Sequence, residues 1–353
     1  MKDTFARFAL VLTTSVALGA CSGSDGGLAD PGDDGGAPTD TASGTDGGGT
    51  DTTAGSDTRA TDGAPTDVGT DAIATDSRPA VDGSDASDAG ADATDAPDPG
   101  LRPGWTLTFR DEFDAKDGTA VDDTKWVHET GGGGFGNAER EYYTNKVENS
   151  VQRGGNLVIT ATKDGVAGLT CWYGACQYTS ARLITKDKFT QKFGRFEAKI
   201  KLPSGQGMWP AFWMLGDDIG TTGWPGCGEI DIMENIGKEP STNHGSLHGP
   251  GYSGGSPLTG TTTLPGGEKL SDKFHVFAME WDAAEIRFYL DSDTPYETHK
   301  PSDVAGKKWV YDHPFFMLLN VAVGGSWPGD PDGTTAFPQT MLVDYVRVYQ
   351  KAP

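Results

Sequence analysis

No stretch of this 353-residue chain stays apolar for the roughly 20 residues that a membrane-spanning helix needs, which excludes helical spans. Cationic side chains are also few, 28 Lys and Arg against 51 Asp and Glu, so a nucleic-acid partner is not expected. Cysteine occurs only at Cys21, Cys171, Cys176 and Cys227, and no histidine cluster shares their spacing, which argues against a zinc site. In an exported chain Cys171 and Cys176 would close a small disulfide loop and leave Cys227 a buried thiol. Three cysteines allow other pairings, and that choice stays open. No long segment keeps a helical period.

The sharpest absence is local. Residues 22–100 contain no Phe, Trp or Tyr and consist almost wholly of Asp, Gly, Ala, Thr, Ser and Pro. Such a segment cannot bury enough apolar area to offset its ordering entropy, so it reads as a disordered linker. Its 18 aspartates face only Arg59 and Arg78, and their mutual repulsion favours an extended tether. Calcium-binding repeats are the alternative for an Asp/Gly-rich stretch, but no fixed period or aromatic anchor appears. Most of the net charge of −23 resides in this tether, leaving the remaining domain only mildly acidic.

Residues 1–21 run from Lys2 and Arg7 through an apolar stretch to Leu18, Gly19, Ala20 and Cys21. A basic start, a short apolar core and small residues before a cysteine read as a bacterial lipoprotein signal peptide, with Cys21 as the lipidation site. An ordinary signal cut at Ala20 is the alternative. Either way the chain is expected to be exported, as a membrane-anchored lipoprotein at the cell surface or as a secreted protein.

Residues 101–353 hold almost all the aromatics. Residues 157–162, 193–202, 274–281, 285–290 and 341–349 alternate apolar and polar types or are rich in β-branched and aromatic side chains, and Gly, Pro and Asp clusters separate them. They predict one all-β domain, a jelly-roll sandwich of two antiparallel sheets preceded by the disordered tether.

Within it, Gly228, Glu229, Ile230, Asp231, Ile232, Met233, Glu234 and Asn235 place three acids among apolar residues in a predicted central strand. Alternation puts Glu229 and Asp231 on one face and the isoleucines on the other. It would also drive Glu234 into the core, where an unpaired carboxylate costs several kcal/mol. A β-bulge near Ile232 and Met233 would return Glu234 to the face of its two neighbours. Like charges that close raise at least one pKa, as a glycosidase requires of its general acid. Scattered acids on an exposed strand are the bland reading. Trp209, Trp213, Trp224 and Trp327 weigh against it: Gly or Pro stands next to three of them and within three residues of Trp213, which favours partial exposure, and flat rings beside carboxylates suit sugars.

Over nearly all of residues 104–350 the domain resembles the bacterial laminarinases, endo-β-1,3-glucanases of glycoside hydrolase family 16. The matching blocks are residues 111–113, 142–144, 156–161, 194–205, 209–213, 224–234, 248–249, 320–325, 327–329 and 343–349. The resemblance implies a concanavalin-A-like jelly roll with an open cleft that retains anomeric configuration. Glu229 would be the nucleophile, Glu234 the general acid/base, and Asp231 the carboxylate between them. Asn137, Arg182, Trp209, Trp213, Trp224 and His248 would line the cleft, although His248 alone reads equally as a structural turn residue. Ala138 and Arg140 depart from the family, which often carries Asn and a neutral residue there. The resemblance also implies a structural calcium at Glu112, Gly155 and Asp344, with an ordinary surface aspartate as the alternative at position 344. Catalysis by carboxylates needs no cofactor, and a monomer acting on β-glucan is expected. Mixed-linkage glucan or a galactan is the rival substrate, and a non-hydrolytic glucan-binding module or a structural surface protein the rival role.

Overall fold

The computed structural model describes Gly100 and residues 102–352; the expected signal segment, Cys21 and residues 22–99 of the expected tether lie outside the described residues. Among those described, strands dominate, and the one α-helix, α1 (Ile219–Thr222), is a single turn.

One sheet runs, edge to edge, β17 (Glu297–His299), β16 (Ile286–Leu290), β15 (His275–Trp281), β10 (Gly194–Lys201), β19 (Gln339–Lys351), β5 (Asn156–Ala161) and β4 (Ser150–Arg153). The 13-residue β19 has room for a further partner: β5 pairs with its first half, Met341 opposite Ile159. Its second half pairs with β1 (Trp105–Asp111), Val346 opposite Asp111.

The other sheet runs β14 (Leu258–Thr263), β13 (Thr242–His248), β12 (Glu229–Glu234), β11 (Met208–Gly216), β18 (Phe315–Val323), β9 (Arg182–Ile184) and β2 (Val127–Glu129). Every neighbouring pair in both sheets is antiparallel. Outside the sheets, β3 (Glu141–Tyr143) pairs in parallel with β8 (Tyr178–Ser180). The hairpin of β6 (Thr170–Cys171) and β7 (Gly174–Ala175) is closed by a disulfide between Cys171 and Cys176.

The core lies between the two sheets and follows the period of two. Phe196, Ala198 and Ile200 of β10 and Met341, Val343, Val346 and Val348 of β19 supply one side. Met208, Phe212 and Met214 of β11, Ile230, Ile232 and Met233 of β12, and alternate residues of β18 from Phe315 to Val323 supply the other. The period breaks twice, at Ile232 and Met233 and between Val343 and Val346, and the pairing register shifts at both places. All nine residues of β18 are buried, because Phe316 and Leu318 on its second face join Ile184, Leu215 and Cys227 in a small satellite cluster. Such a continuous apolar run carries no alternation to mark it as a strand.

Phe212 is fully buried at the centre of this core. Phe212→Ala is expected to cost about 3–5 kcal/mol, read as a lower denaturation midpoint at unchanged slope in guanidinium unfolding.

Candidate active site

The candidate site is built on the face of the second sheet that points away from the core, and the pairing register lays it out in rows. One row reads His248, Glu229, Leu215 and Phe316; the next reads Ser246, Asp231, Trp213, Leu318 and Ile184. The third reads His244, Glu234, Ala211, Asn320, Arg182 and Glu129. The bulge expected near Ile232 and Met233 is present: Asp231 lies opposite Ser246 and Glu234 opposite His244, so two β12 residues face the single residue Gly245. Ile232 and Met233 both enter the core, and Glu229, Asp231 and Glu234 share the outer face.

Each glutamate holds one tryptophan. The Trp224 indole N–H donates to Glu229 Oε2 at 2.8 Å, and that of Trp209 donates to Glu234 Oε1 at 3.0 Å. Asp231, 2% exposed, lies beneath them, with His248 Nε2 at 3.1 Å from its Oδ2 and 3.7 Å from Glu229 Oε1. Trp209 and Trp213 correct one expectation: neither sits at a turn. Both belong to β11, and alternation alone turns them outward. Trp327 packs edge-on against Trp209 and His244, with ring centroids 5.5 Å and 4.9 Å away.

The electrostatics follow from burial and crowding. Burial first, then the charge of Asp231, raises Glu229 to about 8 against the opposing pull of His248, the Trp224 N–H and Arg182. Burial likewise raises Asp231 to about 8, opposed by a hydrogen bond with Glu229. Glu234 rises well above the usual carboxylate range through burial and the charges of Asp231 and Glu229. Glu229 therefore has the better support for negative charge. Glu234, with fewer groups favouring its anion, is the better proton donor.

Trp213 and Asn137, both expected to line the cleft, are joined by a chain of hydrogen bonds that sequence reasoning missed. Trp213 Nε1 donates to Asn320 Oδ1 at 2.7 Å, Asn320 Nδ2 to the Tyr143 hydroxyl at 3.2 Å, and that hydroxyl to Glu139 at 2.8 Å. Glu139 also accepts from Asn137 Nδ2 at 3.2 Å. Arg182 lies between the rings of Trp213 and Phe135, 4.8 and 4.9 Å from their centroids, and pairs with Glu129 at 2.5 Å. Only the register of β18 against β11 and β9 brings Asn320 here, so its place in the matching block 320–325 did not show which side chains it meets. The irregular loop before β3 likewise hides Glu139. Ala138, where the family often carries Asn, adopts a left-handed φ of 58°, a conformation that Asn tolerates better than Ala. Arg140 turns to Asp330 at 3.0 Å and stacks over the Tyr173 ring.

Among the described residues, two sets of side chains have the spacing to hold a metal ion: Glu229, Asp231 and His248, and Asp217, Asp218 and His313. The residues expected to bind calcium converge on β19, since Val346 pairs with the end of β1 and Val343 with Leu157 near Gly155. Their carboxylates already have cationic partners: both Glu112 oxygens accept from Arg347, and Asp344 lies 2.6 Å from Lys199. A calcium ion there would depend on backbone carbonyls and compete with Lys199 for Asp344.

Glu141 lies fully buried behind the site; its Oε2 accepts the Val323 N–H at 2.6 Å and its Oε1 receives no donor. Burial and neighbouring Glu139 hold its carboxyl well above the usual range. A carboxyl raised on folding contributes stability below its unfolded pKa of about 4.3 and loses it as pH rises towards the folded value. Glu141→Gln, a neutral isostere, should match the native Tm near pH 4 and exceed it at pH 8, as read by calorimetry across that range.

The sequence profile of glycosyl hydrolases family 16 matches residues 137–347. A β-glucanase of Rhodothermus marinus is 40% identical, the match covering 70% of this chain and 86% of that protein. The glucan endo-1,3-beta-glucosidase A1 of Niallia circulans is 34% identical over 70% of this chain but only 38% of its own length. The catalytic domain of an endo-1,3-β-glucanase (laminarinase) from Thermotoga petrophila superposes with a TM-score of 0.66 at 47% identity, covering 70% of this chain and 99% of that one.

Proposed function

Because this chain belongs to family 16 of the glycosyl hydrolases, and is therefore a glycoside hydrolase, we propose that it is an endo-acting hydrolase of β-1,3-glucan that retains anomeric configuration. The observation that carries the reading is the bulge in β12, which sets Glu234 beside Glu229 on one face with an indole N–H on each. The relatives' names support a β-glucan substrate. The tryptophans around the carboxylates offer flat apolar surfaces of the kind that stack on pyranose rings.

In this mechanism Glu234 protonates the glycosidic oxygen as Glu229 attacks the anomeric carbon, breaking the bond to the leaving sugar and forming a glycosyl ester. Water then attacks that carbon, Glu234 takes its proton, and Glu229 leaves as carboxylate. The Trp224 N–H and His248 favour the anion that Glu229 must be at the first step. Burial, and then crowding by Asp231 and Glu229, keeps the proton on Glu234 until the leaving oxygen needs it. Export, lipidation at Cys21, a monomeric state and a structural calcium at Glu112, Gly155 and Asp344 belong to the same proposal. The first rests on the signal-like start of the chain, and the calcium on the family resemblance.

Glu234→Gln should lower kcat on β-1,3-glucan by roughly 10²–10⁴-fold, and Glu229→Gln should abolish turnover while preserving binding. Azide distinguishes the roles: Glu229→Gly should yield the α-glycosyl azide and Glu234→Ala the β-azide. The opposite pattern would exchange the two assignments, and normal hydrolysis by either variant would refute them.

Asp231→Asn removes one negative charge from between the glutamates, so both become stronger acids. Both limbs of the kcat/KM–pH profile should move to lower pH by roughly one unit, the alkaline limb included. A profile that keeps its limbs would show that Asp231 does not tune the pair.

A further inference from the structure

We propose that Trp172 is an outlying sugar-binding platform, on which a pyranose ring of the same glucan chain stacks beyond the residues around Glu229 and Glu234. The proposal rests on the β-glucan reading above and extends the site to a hairpin that none of the chemistry uses.

Trp172 sits at the turn of the β6–β7 hairpin and is 52% exposed. An indole left that open in water forgoes the gain of burying its ring. Yet this side chain is anchored at several points. Its main-chain N–H donates to Gly132 O at 2.8 Å, and its indole N–H donates to Glu139 O at 2.7 Å. The Cys171–Cys176 bond closes the hairpin around it. Tyr173 packs edge-on, 5.4 Å between centroids, and its hydroxyl donates to Arg140 O. The facing loop is shaped to receive the ring: a Cβ on Gly134 would lie 2.9 Å from the indole, and one on Gly132 would lie 2.7 Å from Cys171 Sγ. The single polar group of the side chain is thus satisfied internally, and what remains for a ligand is rigid apolar ring surface.

Two observations point to the glucan as its occupant. The first is continuity with the catalytic face. Glu139, whose carbonyl fixes the indole, holds Asn137 with its carboxylate and reaches Trp213 through Tyr143 and Asn320. Asn137 O in turn accepts the Ser326 N–H, next to Gly325, where a Cβ would lie 3.4 Å from the Trp209 ring. The second is likeness to Trp224, which is 48% exposed, ties its N–H to Glu229 and leaves its ring open beside the reacting carboxylates. A rigid aromatic that contacts an extended polymer adds affinity without touching the bond that breaks.

The test compares chain lengths. In the Glu229→Gln background, Trp172→Ala should weaken calorimetric binding of soluble β-1,3-glucan polymer about three- to tenfold, and Trp172→Phe should recover most of that loss. In the active enzyme Trp172→Ala should raise KM for polymer while kcat holds, with the shortest cleavable oligosaccharides affected less than about twofold. Cys171→Ser with Cys176→Ser should reproduce the polymer defect in part, with near-UV circular dichroism confirming the fold. Unchanged polymer affinity, or an equal loss for short and long substrates, overturns the platform while leaving the hydrolase reading intact. Absence of β-1,3-glucan hydrolysis by the native enzyme removes the reading and the platform with it. Polymer binding that is unaffected together with self-association lost in Trp172→Ala would assign the indole to a contact between copies.

Discussion

Ile232 and Met233 stand opposite a single residue of β13, and the whole candidate site depends on that mismatch. A strand of strict alternation allows carboxylates at positions 229, 231 and 233 on one face, each about 7 Å from the next along the chain. It cannot place a carboxylate at 234 there. The extra residue changes the parity, sends two consecutive apolar side chains into the core, and returns Glu234 to the side of Glu229. The apolar residues that straddle the break hold it in place. Slipping the register by one would bring Ile232 or Met233 out to solvent and take Glu234 inside, at a cost in both burial and desolvation.

Crowding three acids on one face works against stability, and the surrounding structure limits that cost without removing it. Each glutamate receives one indole N–H, and His248 sits within reach of both Asp231 and Glu229. Asp231 Oδ2 nonetheless lacks a well-aligned donor. The residual tension is chemically useful, because carboxyls that resist ionisation keep a proton available at neutral pH. Behind the face, Glu139 and Glu141 form a second crowded pair, in which Glu139 holds Asn137 and Tyr143 and, through Tyr143, Asn320, so one conflict of charge serves reaction and the other serves positioning. The satellite cluster of Leu215, Cys227, Phe316 and Leu318 fills the part of the face that carries no chemistry; burial there pushes the Cys227 thiol up to about 12, which leaves it inert.

Much of this was legible beforehand, for reasons that differ from residue to residue. Residues 193–202 and 341–349 alternate and could be read as half-buried strands; β18 could not, because both its faces are covered. Glu229, Asp231 and Glu234 were legible because a charged residue in an apolar strand demands an explanation, and only one local device supplies it. Trp209 and Trp213 were correctly singled out, but for the wrong local reason: they lie within a strand, not at turns flanked by Gly or Pro. Tyr143 and Asn320 lay inside blocks that match the family but were given no place in the cleft, and Glu139 and Trp172 carried no comparable signal, since a tryptophan between two cysteines is compatible with many roles.

What the sequence alone determined is what depends on neighbours in the chain: the all-β class, the polar composition of residues 22–100, and the bulge that three acids and three apolar residues in β12 require. Only the tertiary structure decided which side chains from distant segments meet. Asn320 reaches Trp213 and Tyr143, Arg182 lies between Phe135 and Trp213, and Trp172 rests on the loop of Gly132 and Gly134 because strand registers and loop packing bring them there. The physical reason is one of range. Alternation, bulges and disorder follow from steric and solvation terms that act over a few residues. The positions of side chains tens or hundreds of residues apart are set by the packing of two sheets against a common core, a sum over the whole domain that no local stretch contains.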